Sequence, residues 1–172
     1  MPVQRLNHAV LYVRDVERSL AFYRDVLGFR VKVEISGRAV FLQAEGSTND
    51  HDLGLFAIGG TAGPSEAGRR TVGLYHLAWE VDTLAELARI RDALLQAGAL
   101  VGASDHATTK ALYAQDPDGL EFEVSWLLPA DLITDEVRAR AMVIEPLDLD
   151  REIERYGAGT RGGVGVSFPA LT

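Results

Sequence analysis

Hydrophobic positions recur at two spacings along this chain, and the two spacings alternate in the same order twice. The stretches "LNHAVLYVRDVERSLAFYRDVLGFRV", from Leu6, and "LYHLAWEVDTLAELARIRDALLQAGALV", from Leu74, both open with Leu, a polar or aromatic residue, and His. Each continues as an apolar strand that ends in Val, at Val13 and Val81. Each then changes to spacings of three and four. Val16, Leu20, Tyr23 and Leu27 form one helical stripe, and Leu84, Leu87, Ile90, Leu94 and Ala97 form another. Gly28 and Gly98 follow as helix terminators. The offset between the copies is 68 residues at the histidines and 70 at the glycines.

Short strand patterns come after each helix. In the first copy they cover 29–36, 38–45 and 52–58, with a turn at "SGR". In the second they cover 99–103, 109–115 and 120–127, with a hairpin turn at "DPDG". Pro at the second turn position and Gly at the fourth suit a type I turn. Each copy therefore reads β-α-β-β-β, and the fold class is α+β. The two modules, at 4–58 and 72–127, are expected to form one domain over 1–129 and to pair their sheets around a cleft. The Gly-rich stretch 59–71 joins them, and 130–172 is a C-terminal helical extension. In that extension "DLITDEVRARAM" and "LDLDREIERYG" read as helices, the second capped by Gly157. The closing "AGTRGGVGVSFPALT" has no periodicity and is expected to be mobile or docked on a neighbour.

Composition narrows the function classes. The 172 residues are 47% hydrophobic and 24% charged, which is ordinary for a protein with a sizeable core. With no cysteine, disulfides, thiolate metal sites and cysteine nucleophiles are excluded. Seventeen basic against 25 acidic residues leave a net charge of -8, which argues against nucleic acid or an anionic membrane as partner. No apolar run reaches membrane-spanning length. The opening "MPVQRLNHAV" lacks the basic and apolar regions of a signal peptide, so the cytoplasm is the expected location. Sheet edges that need cover, together with Leu132, Ile133, Val137, Met142 and Ile144 in the extension, lead us to expect a homodimer.

The candidate chemistry lies at the repeated positions. The four histidines are His8, His51, His76 and His106, and His8 and His76 occupy the same place in the two copies. A lone strand histidine is more often a core residue than a ligand, but a matched pair favours a shared role. At an offset of 69, Gly54 falls where the second copy has Glu123. Two imidazoles and one carboxylate, with Gly in the fourth place, make the facial set of non-haem Fe(II) oxygenases. Glu121 and Glu123 share a strand face. Glu123, deeper in the strand, is the preferred ligand and Glu121 a rim carboxylate.

On these residues the chain resembles the vicinal oxygen chelate superfamily, over 4–127. That superfamily takes in glyoxalase I, fosfomycin-resistance thiol transferases, bleomycin-binding proteins, methylmalonyl-CoA epimerase and extradiol ring-cleaving dioxygenases. The strand histidine, the helix, "DVLGF" and "DPDG" ahead of the glutamate recur together there. Within it, "DHATTKALYAQDPDGLEFEVSW" and "EPLDLD" are most similar to the catechol 2,3-dioxygenase-like branch. The resemblance implies further roles. Tyr113 matches an active-site Tyr that hydrogen-bonds substrate, His51 an acid/base toward the diol and oxygen, and His106 a histidine at the pocket rim. Leu120 stands where the family usually has Asn, and Asp50 where many extradiol enzymes have a second His.

The expected activity is an Fe(II)-dependent extradiol dioxygenase acting on a catechol-type diol with O₂, Mn(II) being the other metal this ligand set suits. Two alternatives stand beside it. One is a metal-dependent isomerase or thiol transferase of glyoxalase or fosfomycin type, and the other a metal-free protein that sequesters a small molecule. Glyoxalase-like chemistry usually uses a fourth protein ligand, which Gly54 cannot supply. A metal-free module needs no ligands, and here the ligand positions are filled.

Overall fold

Asp15 and Thr83 stand where strand spacing gives way to helical spacing, and each caps a helix. In the computed structural model, the Asp15 carboxylate accepts the N–H of Arg18 at 3.0 Å, and Thr83 Oγ1 accepts the N–H of Glu86 at 3.2 Å. These bonds satisfy donors that the first helical turn leaves free. Helix α1 spans Val16–Asp25 and buries Val16, Ser19, Leu20 and Tyr23. Helix α2 spans Leu84–Gln96 and buries Leu84, Leu87, Ile90 and Leu94. Burial of each such aliphatic side chain contributes about 1.5–3 kcal/mol. Leu27 and Ala97, the expected ends of the stripes, lie past the last helical residues. Gly28 and Gly98 follow at φ +78° and +64°, a left-handed conformation that glycine adopts freely.

The structure describes residues 2–67, 70–140, 143–163 and 166–167. The chain divides into two compact units, residues 1–66 with 116–119 and residues 67–115 with 120–172. Among the described residues no helix is long and apolar enough to cross a membrane.

The first unit holds β1 (Ala9–Val13), α1, β2 (Arg30–Ile35), β3 (Ala39–Gln43) and β4 (Leu53–Ala57), in the sheet order β1-β4-β3-β2. Strand β1 lies parallel to β4, and the other pairs are antiparallel. The core strands are β3 and β4, where Val40, Leu42, Leu53 and Leu55 are fully buried. The "DPDG" turn belongs to this unit. Its Asp118 accepts the Arg14 backbone N–H and an Arg14 guanidinium N–H, each at 2.8 Å, and the Tyr23 hydroxyl donates to Asp116 at 3.2 Å. Burial, then the Asp116 charge, raises the Tyr23 phenol well above its usual range.

The second unit repeats the plan. It holds β5 (Leu77–Glu80), α2, β6 (Leu100–Asp105), β7 (Thr109–Gln115) and β8 (Glu121–Leu127), in the order β5-β8-β7-β6 with β9 (Glu145–Pro146) added beside β6. The expected α+β class and both βαβββ modules are present. The expected helix over 131–142 is instead a 3₁₀ turn at Ala130–Leu132 and the short α3 at Asp135–Ala139, because Thr134 turns its hydroxyl to cap Val137. Met142 lies outside the described residues. The second expected helix forms as α4 (Leu149–Tyr156), with Asp148 as N-cap and Gly157 as C-cap at φ +89°.

After α4 the chain docks on its own unit. Thr160 O accepts the Trp126 indole N–H at 3.1 Å, Gly162 N–H donates to Asp82 O at 2.9 Å, and Ser167 Oγ donates to Leu127 O at 3.0 Å. A Cβ on Gly162 would lie 1.9 Å from Leu127 O, so only glycine allows this approach.

Candidate active site

Strand register tests the equivalence of the two copies. Val10, two residues past His8, pairs with Gly54, and Ala78, two residues past His76, pairs with Glu123. Gly54 and Glu123 therefore occupy the same place in their sheets. The next strand extends the match, since Phe41 sits opposite Gly54 and Tyr113 opposite Glu123. The copies keep the aromatic ring but differ in its hydroxyl, and differ again in the carboxylate.

In the second unit, His76 Nε2 lies 3.4 Å from Glu123 Oε2, both side chains being largely buried. The other ring nitrogen, His76 Nδ1, is buried with no hydrogen-bond partner. A buried polar atom without a partner is costly unless the site has a use for it. The Tyr75 ring lies 4.6 Å from the His76 ring, and the Tyr113 ring lies 6.1 Å from it. Burial raises the Tyr113 phenol above its usual range, and the Glu123 charge adds to the rise. At neutral pH it is thus an O–H donor. Its oxygen is 3.0 Å from His106 Nε2. Glu121 pairs with Gln115 beside the turn, two residues from Glu123 on the same face. The carboxylate placed beside His76 is Glu123.

In the first unit, Asn7 Oδ1 lies 2.7 Å from His8 Nδ1. An amide oxygen there accepts the Nδ1 proton and leaves Nε2 with its lone pair, as metal-binding histidines require. The His8 and His51 rings lie 4.5 Å apart, and Phe41 meets His51 edge-on at 5.0 Å. Asp50 Oδ2 lies 3.0 Å from His51 Nδ1, a bond that holds the Asp50 carboxyl below its usual range.

Sequence reasoning missed the group that sets this loop. Asp52 is nearly buried and accepts from the Ala44 N–H (2.8 Å), Ser47 Oγ (2.7 Å) and Asn49 Nδ2 (2.7 Å). Asn49 Nδ2 also donates to Asn7 O at 2.7 Å. Asp52 thereby ties the His51 loop to the chain at His8. An Asp and an Asn inside a polar loop are the only sequence signal of such a hub, and many solvated loops carry the same.

The structure thus brings His76, Glu123, Tyr113 and His106 together in one unit and His8 and His51 in the other. Among the described residues no three His, Asp or Glu side chains are gathered closely enough to hold a metal ion.

Comparison with known proteins places this geometry. The model of the Glyoxalase/Bleomycin resistance protein/Dioxygenase superfamily matches residues 5–124. The chain belongs to that superfamily. Catechol-2,3-dioxygenase of Bacillus subtilis (strain 168) is 34% identical over 119 residues, 69% of this chain and 40% of that protein. Metallothiol transferase FosB of Lysinibacillus sphaericus (strain C3-41) is 29% identical over 128 residues, 72% of this chain and 82% of that protein. The chain thus spans less than half the length of the Bacillus dioxygenase. A crystal structure of a glyoxylase/bleomycin resistance protein/dioxygenase domain from Frankia sp. EAN1pec matches with a TM-score of 0.59 at 23% identity, covering 72% of this chain and 92% of that one. The two mixed sheets with few helices are the vicinal oxygen chelate fold of this superfamily.

Proposed function

We propose that the protein is an Fe(II)-dependent extradiol dioxygenase that opens a catechol-type ring beside its two hydroxyl carbons. The observation that carries this reading is the His76–Glu123 pair with the Tyr113 hydroxyl and His106 beside it. Identity of 34% to a catechol-2,3-dioxygenase supports it. His8, His76 and Glu123 would hold the ion. The fit rests on the close His76–Glu123 contact and the Asn7-held tautomer of His8. When bound, a divalent ion supplies positive charge that stabilises a deprotonated diol and the passage of electrons to O₂.

The chain's own residues do the rest. His51 takes a diol proton and returns it after the ring carbon–carbon bond breaks, a task suited to imidazole near neutral pH. Tyr113 donates its O–H to a substrate oxygen, and His106 orients that hydroxyl. Both atoms of O₂ enter the product, so no further co-reactant is needed. The reaction takes place in the cytoplasm, where a chain without cysteine loses nothing to reducing conditions.

The test is anaerobic loading with Fe(II), then a panel of catechols under O₂. A yellow ring-fission product is expected, and its absence across the panel would refute the reading. A second reading, metal-dependent thiol transfer, is favoured by the match to 82% of the metallothiol transferase FosB. Thiol addition to an epoxide by the Mn(II)-loaded protein, with catechols left intact, would select it.

A homodimer belongs to the same proposal. Strand β2 is an edge strand that exposes Val31, Val33 and Ile35, and such edges invite pairing. Among the extension residues first expected to form the contact, Val137 is instead buried and Ile144 is exposed. Light scattering should give twice the 18.7 kDa chain mass. The mass of a single chain throughout the micromolar range would contradict this.

A further inference from the structure

Helix α4 lies wholly beyond the residues the superfamily model matches, 5–124. Yet its Glu152 is buried, and Glu152 Oε2 lies 2.8 Å from Lys110 Nζ on β7. Lys110 is 1% exposed, and its ammonium also lies 2.6 Å from Asp105 Oδ1 at the end of β6. Two buried carboxylates thus share one buried cation. Groups of this kind tolerate little displacement, because a separated charge cannot reach water.

The same Asp105 Oδ1 accepts the N–H of Ala107 at 2.7 Å. Ala107 has φ +64°, and it is the non-glycine residue in the left-handed region among those described. An alanine holds that conformation only where its surroundings enforce it. Between Asp105 and Ala107 stands His106, whose Nε2 meets the Tyr113 hydroxyl at 3.0 Å. Backbone bonds close the turn, from His106 N–H to Thr109 O at 2.9 Å and from Thr108 N–H to His106 O at 2.8 Å. Lys110 and Tyr113 are three apart on β7 and so project to opposite faces. The turn is the route that side-chain hydrogen bonds offer between them.

We propose that α4 is a latch that positions His106: Glu152 holds the Lys110 ammonium, Lys110 holds Asp105, and Asp105 holds the strained turn that presents His106 to Tyr113. Strand β9 supports the same point, since Glu145 pairs with Asp105. Glu152, Lys110 and Asp105 are positioning residues that touch no substrate. The proposal rests on the reading of His106 and Tyr113 as site residues.

The test uses the whole chain without metal, so that it does not depend on ring cleavage. Nitrogen–proton correlation spectra report the imidazoles of the four histidines, and His106→Asn assigns the His106 signals by their loss. In the wild type His106 should give one set of peaks. Glu152→Gln keeps the shape of the side chain and removes its charge. It should displace or double the His106 peaks and leave those of His8, His51 and His76 within a linewidth. If the Gln variant does not fold, Glu152→Asp, with its charge one methylene short, should displace the same peaks. Adding Ala107→Gly to the Glu152→Gln variant should restore a single set, because glycine adopts the turn without enforcement. Unchanged His106 peaks in the folded Glu152→Gln protein overturn the proposal. So does a shift shared by all four histidines, or a failure of Ala107→Gly to restore the signal. Should no variant, wild type included, cleave a catechol while the His106 peaks respond as stated, the dioxygenase reading falls and the latch stands.

Discussion

Glu123→Ala should cost the protein its stoichiometric metal while leaving it folded. Removing even a partner that orients a ligand typically costs about 10–100-fold in metal affinity. Loss of one of three proposed ligands should exceed that, so the expected fall is at least about 100-fold. His8→Ala and His76→Ala should behave alike, because register gives both the same offset from the Gly54 and Glu123 positions. The fold should tolerate the change at Glu123. Its counterpart in the first sheet is Gly54, where an added Cβ would meet Val10 and Phe41 only at 3.5–3.6 Å, ordinary contact. Metal analysis of the purified variants, beside circular dichroism, checks both halves. Full metal occupancy in the Glu123→Ala protein would remove Glu123 from the ligand set and turn attention to Glu121, which shares its strand face.

Much of this was legible because the chain states its plan twice. One helical stripe is ambiguous, but two stripes at a common offset, each behind a strand with a leading histidine, leave few arrangements open. The same repetition singled out Glu123, since the equivalent place in the first sheet holds Gly54. What had no second copy was harder to read. Strand β9 is two residues long and contains Pro146, and it forms only because β6 offers an edge. Helix α3 is shorter than its pattern, because Thr134 caps Val137 where the pattern places it inside a helix. Among the described residues of the final stretch, the anchors are backbone groups, the Ser167 hydroxyl and the close approach at Gly162, none of which leaves a periodic signal. Asp52 and Lys110 were missed for a related reason. A charged side chain at a loop or strand end reads as solvated, and only the fold reveals that each is surrounded by partners.

His51→Ala and Tyr113→Phe should keep both fold and metal and lose turnover. Neither residue is needed as a ligand if His8, His76 and Glu123 supply three. The fold is kept in the Tyr113 variant, since Phe41 already fills the equivalent place opposite Gly54 in the first sheet. For His51 it rests on Asp52, whose bonds to Ala44, Ser47 and Asn49 set the loop without the imidazole. The chemical argument concerns protons. A diol must lose them to bind as an anion and regain them as product, and one positioned acid/base group contributes about 10²–10⁴-fold in rate. The His51→Ala protein should therefore lose kcat by that factor with KM little changed. Tyr113 plays a different part. Burial and the Glu123 charge keep its phenol protonated, so it serves as a fixed donor and not as a base. Removing one such donor from a preorganised site should lower kcat about tenfold or more. The Tyr113→Phe loss should also be flat across neutral pH. Ring cleavage near the wild-type rate in both variants, with iron retained, would leave the Asp105–Trp126 hairpin as a scaffold for Glu123 alone.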